Sequence, residues 1–100
     1  MIEADIEKYL VRKVKALGGE VRKVKWIERR GAPDRLVMLP GVPSEVTPMS
    51  QWASRTIWVE LKAPGKKPES HQLREHERMR RMGQNVVVID SVEGVEELLK

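Results

Sequence analysis

The stretch "WVELKAPGKK", residues 58–67, decides how this chain is read. Residues 56–62 are β-branched and aromatic enough to form a central strand, and the Ala-Pro-Gly-Lys-Lys-Pro run that follows closes it. Side chains alternate along a strand, so Trp58, Glu60 and Lys62 share one face while Ile57, Val59 and Leu61 share the other. A carboxylate and an ammonium therefore point together out of a segment that otherwise reads as core. A solvated ion pair, which adds little stability, accounts for the two charges as long as nothing else converges on them.

Asp34 supplies the convergence. It opens the preceding predicted strand, residues 34–39, after a Gly31-Ala32-Pro33 turn. If the two strands are neighbours, Asp34 and Glu60 meet. Carboxylates about 4 Å apart repel by roughly 4 kcal/mol at an effective dielectric of about 20, so such a pair calls for a proton, a cation or a metal. Two carboxylates, a backbone oxygen and waters match the shell of magnesium, which a substrate phosphate commonly completes. An Asx-type turn residue after proline is the alternative role for Asp34.

Further out, residues 2–17 form a predicted helix with Ile6, Leu10, Val14 and Leu17 at helical spacing, stopped by Gly18-Gly19. Glu7 lies on or beside its inward face and could reach the same site; alternatively Glu3 and Glu7 complement the helix N-terminus. A strand over 20–26 follows, with imperfect alternation. Residues 40–55, with three prolines, read as a long excursion in which Met49 and Trp52 cover the core or meet a partner. Pro68 introduces a helix over 69–82, where Gln72 lies on the line of His76, Met79 and Gly83 that faces the sheet. Gln72 is either a site residue or an ordinary first-turn polar residue. His71 and His76 suit the helix surface or the core, or proton and phosphate contacts. "NVVVID", 85–90, reads as a strand buried on both faces, and 91–100 as a short helix with Ser91 as its N-cap. The order is αβββαβα.

One hundred residues suit one domain, 1–100, with one modest core. Cysteine is absent, which excludes a disulfide framework and thiolate metal sites and points to a reducing compartment. The acidic, helix-like N-terminus is unlike a signal sequence and apolar runs are short, so a cytoplasmic protein is expected. A net charge of +4, with basic clusters at 11–15, 21–25, Arg29-Arg30, Lys66-Lys67 and 78–81, suits nucleic acid or simply a soluble basic surface.

Asp34, then Glu60-Leu61-Lys62, on an αβββαβ order, resembles the PD-(D/E)XK nuclease superfamily. The finer pattern is similar to the VRR-Nuc family: Glu7 in the first helix, "GAPDR" at 31–35, "VELK" at 59–62, Gln72, and "GQNVVVID" at 83–90. The resemblance implies an α/β, restriction-endonuclease-like core with a mixed central sheet flanked by helices. By the same resemblance Asp34, Glu60 and the Leu61 carbonyl would be metal ligands, Lys62 the catalytic lysine, Gln72 a site residue and Glu7 a further acid near the metal. It also implies Mg2+- or Mn2+-dependent hydrolysis of DNA phosphodiesters, and for free-standing domains of this size a homodimer acting on branched DNA such as four-way junctions. The alternatives are a non-catalytic nucleic-acid-binding module on the same fold, or a nuclease for flapped or linear DNA. No base-reading helix stands out.

Overall fold

A computed structural model of the chain describes residues 1–41, 46 and 55–100. The elements run α1 (Glu3–Ala16), β1 (Glu20–Lys23), β2 (Arg35–Leu39), β3 (Arg55–Leu61), α2 (Ser70–Arg81), β4 (Val86–Ile89) and α3 (Val92–Leu98). The expected order is therefore the observed one. Among the described residues the strands form one mixed sheet in the order β1-β2-β3-β4, antiparallel across β1–β2 and β2–β3 and parallel across β3–β4.

Alternation on β3 divides the molecule into two layers. Ile57, Val59 and Leu61 face α1 and α3, joining Ile6, Leu10 and Val14 of α1, Val37 and Leu39 of β2, Ile89 of β4 and Val95 of α3 in one core. Each such side chain, fully buried, contributes about 1.5–3 kcal/mol. Tyr9 ties α1 to α3 by donating its hydroxyl proton to Glu96 at 2.6 Å. The opposite face, carrying Trp58 and Glu60, is covered by α2 through His76 and Met79, both buried.

Several local expectations give way to the structure. Leu17 belongs not to the buried stripe but to the C-cap of α1, where it is exposed. β1 stops at Lys23 rather than at 26: Val24 still donates to the Asp34 carbonyl at 2.9 Å, but Glu28 (φ 58°) and Gly31 (φ 89°) then turn the chain back. β4 is not buried on both faces. It ends the described sheet with β3 as its one partner strand there, and Val88 faces solvent. Gly83 does not face the sheet; with φ 81° it ends the α2 turn at the surface. Met49 and Trp52 lie outside the described residues.

The α1–β1 junction shows how tightly the apolar layer closes. A Cβ on Gly19 would sit 2.3 Å from the Met38 carbonyl oxygen and 2.9 Å from Val14 Cγ1, so no side chain fits without moving β2 off α1. Gly19→Ala should cost about 1–3 kcal/mol, lowering the melting midpoint in thermal denaturation followed by circular dichroism. The exposed Gly83, whose added Cβ meets nothing within 4 Å, should respond to the same change only through its positive φ.

Candidate active site

The β2–β3 register brings the two acids together. Arg35 pairs with Val59, and one step further along the same register Asp34 lies across from Glu60, on the face away from the apolar core. At the next step Pro33 stands opposite Leu61. The Lys62 N–H donates to the Ile89 carbonyl at 2.9 Å, so the trans peptide aims the Leu61 carbonyl the other way, toward Pro33, which has no N–H to offer. A carbonyl oxygen is thus left beside the two carboxylates at the end of the strand pair.

Glu60 is buried, and α2 reaches both of its oxygens. Gln72 Nε2 donates to Oε2 at 3.4 Å, while its own Oε1 accepts the Glu69 N–H at 2.8 Å and caps the helix. One amide therefore fixes the helix start and the carboxylate at once, which a glutamate in its place could do only by repelling Glu60. His76, with no exposed surface, places Nε2 3.4 Å from Glu60 Oε1. Neither ring nitrogen has a hydrogen-bond partner among the described residues. Burial holds the imidazole below its usual pKa, with Arg80 adding to the effect, so it is neutral. The Gly31 turn seats against the same helix end: a Cβ there would come within 2.8 Å of the His71 carbonyl oxygen.

Burial pushes the Glu60 carboxyl from 4.5 up to about 7; Lys62 opposes the rise and Asp34 adds to it. Asp34 is more exposed and is held by Arg35, whose Nη1 lies 2.8 Å from Oδ1. Arg35 also forks onto Glu7. Glu7, Arg35 and Asp34 thus form a charge chain from α1 to the end of β2, and Glu7 meets the site through the guanidinium. Three of these partners escaped the sequence reading: Arg35 as the bridge, His76 against Glu60, and Arg29, which forks onto the buried Glu75 at 2.8 Å through two nitrogens. Helical spacing from Gln72 to His76 carried the second. Alternation, which puts Arg35 on the α1 side, carried the first.

No family model matches the chain. A solved structure described as a "VRR_NUC domain" superposes with a TM-score of 0.76 at 41% identity, covering 97% of this chain and 92% of its own. "Putative nuclease p44" of Acyrthosiphon pisum secondary endosymbiont phage 1 is 45% identical over 89 residues, 89% of this chain and 83% of its own length. The chain belongs to the VRR-Nuc family. Its mixed four-stranded sheet with three helices is the fold of that nuclease family, as the sequence pattern implied.

A VRR-Nuc site invites a divalent metal, and the donors present can be tested against one. Two carboxylates and a free carbonyl are all oxygen. Among the described residues no group of three or more histidine, aspartate or glutamate side chains is placed to hold a metal ion, so protein side chains would supply at most two ligands. That set fits a hard cation that keeps most of its waters, and a carboxyl with a pKa of about 7 beside a second acid gains from any cation placed between them.

The Glu60 shift sets a pH dependence. Unfolded, the carboxyl ionises near 4.5; folded, near 7. Between those values the folded chain keeps a proton that the unfolded chain has lost, so stability falls as pH rises through that window and is level above it. Glu60→Gln should remove the fall and stabilise the metal-free protein at pH 8 by on the order of 2 kcal/mol, with little effect at pH 4. Denaturant titrations at the two pH values measure this.

Proposed function

We propose that the protein is a divalent-metal-dependent DNA endonuclease, acting as a homodimer on branched DNA such as four-way junctions, in the cytoplasm of a bacterial or phage-infected cell. The observation that carries the reading is the register that sets Asp34 across from the buried Glu60, with Lys62 next on the same face. Mg2+ or Mn2+ held there by Asp34, Glu60 and the Leu61 carbonyl would polarise the scissile phosphate and acidify a water.

The chain's own groups do the rest. Gln72 holds the Glu60 carboxylate through its amide, and the buried His76 ring packs beside the other oxygen. Glu7 acts through Arg35, which holds Asp34 in position. Lys62 places an ammonium beside the acids, where it counters the charge that develops on the phosphate. Lys66 and Lys67, exposed just past β3, take flanking phosphates, so binding should weaken steeply with salt. A domain this small offers little surface to align a branched duplex; two copies about a two-fold axis present paired sites to a junction with near two-fold symmetry.

Labelled four-way junction, flap and linear duplex, each incubated with magnesium, manganese or chelator, test the proposal. Metal-dependent cutting of the junction is expected, reduced at least about a hundredfold by Lys62→Ala, which leaves the acids in place. Binding with no cutting under any metal would overturn the enzyme in favour of a binding module. Preferential cutting of flap or linear DNA would overturn the junction.

A further inference from the structure

Beside the acid pair, between the C-terminal half of α2 and the sheet, lies a groove of about 420 Å³ floored by Trp26, Trp58, Met79 and Met82 and flanked by Arg29 and Gln84. The two indole rings meet at 5.2 Å between centroids and a 47° tilt. Both of their N–H groups are already used: Trp26 donates to the Pro33 carbonyl at 2.8 Å and Trp58 to Gln84 Oε1 at 3.1 Å. What the tryptophans offer a ligand is therefore ring face and not hydrogen bonds.

Position and charge narrow the ligand. Trp26 is anchored to the residue before Asp34. Trp58 precedes Glu60 by two residues on the same face of β3, about 7 Å along the strand. Arg29 and Arg78 both bond the buried Glu75 on the flanking helix, leaving one positive charge in excess. A group that lies flat on aromatic rings, is attached to an anion, and reaches the acid pair with that anion is a nucleobase on its phosphate. The volume suits a small-molecule site and not a duplex, and a base inside a duplex has both faces covered by its neighbours.

We propose that the Trp26–Trp58 groove binds one unstacked nucleobase of the substrate strand, adjacent to the scissile phosphate, so that the protein selects DNA in which the nucleotide at the cut leaves the stack at low cost, as beside a branch point. The proposal rests on the nuclease reading for the phosphate's place, while the groove is a separate set of residues. Because neither indole N–H is free, the tryptophans stack on a base without reading its identity.

The test uses the full chain in calcium and a fluorescent branched duplex, with single abasic nucleotides moved one position at a time through the branch point. In the unmutated protein, one position should weaken binding about tenfold and the others little. Trp58→Leu and Trp26→Leu, checked for folding by circular dichroism, should bind the intact and abasic probes alike. Equal affinity at every abasic position, or no DNA binding at all, overturns the groove, and this scan needs no variant to fold. Metal-dependent cleavage alongside a flat scan leaves the nuclease and removes the groove. A position-specific loss without cleavage under any metal leaves the groove and removes the nuclease.

Discussion

The antiparallel register between β2 and β3 governs the rest of the molecule. Val37 opposite Ile57 and Arg35 opposite Val59 are set by the apolar layer, because a slip of one residue would turn Glu60 into the core and Val59 onto the α2 face. Burial of several branched side chains at about 1.5–3 kcal/mol each opposes that slip. The same packing that builds the domain thus determines that Asp34 stands across from Glu60, with no bond between the two acids required to keep them there. Chemistry at the strand ends is inherited from packing in the strand middles.

What the packing brings together is electrostatically uncomfortable. Glu60 is buried beside a second acid, answered by one amide at 3.4 Å and by a neutral imidazole whose nitrogens lack partners among the described residues. Buried polar groups are normally satisfied, and departures from that rule concentrate where a ligand completes the arrangement. Glu75 shows the contrast within the same helix. It is equally buried, but two guanidiniums bond it and hold its carboxyl below the usual range, chiefly through the hydrogen bond from Arg29. One buried glutamate is neutralised by two guanidiniums; the other holds its proton up to about pH 7.

Legibility in the sequence followed the range of the interactions. Local signals were reliable: Ile6, Leu10 and Val14 at helical spacing, Gly18-Gly19 and Gly83 as stops, and the alternation that separates Val59 from Glu60 all correspond to the structure. Position within the sheet was not legible, because a run such as Val86–Ile89 reads alike in a central and an edge strand. The exposure of Val88 depends on which neighbours assemble beside it. Long-range polar partners were also out of reach. Alternation puts Arg35 on the α1 side without naming Glu7 as its partner, and nothing local in "IERR" says that Arg29 crosses to Glu75 of α2. At the site, Asp34, Glu60, Lys62 and Gln72 were legible as a constellation because a single strand pair and one helix start carry them. His76, four residues along α2 from Gln72, was legible only as a residue facing the sheet, since its contact is with a carboxylate on another element, Glu60 of β3.

The placement of charge and aromatic surface bears on what kind of specificity so small a domain can have. In the proposed complex, exposed lysines past β3 and arginines along α2 would meet phosphates, which carry no sequence information. Reading base edges needs an element seated in the major groove with free donors and acceptors, whereas the donors of Trp26 and Trp58 are already bound to Pro33 and Gln84. Such a surface can distinguish a base that is paired from one that is not, because unstacking must be paid before a base reaches an aromatic face and costs least where pairing has already failed. Selectivity then resides in the shape of the nucleic acid, and the residues that would express it adjoin the acids whose register the core fixes, Trp58 two positions before Glu60 and Trp26 bonded to Pro33, the residue before Asp34.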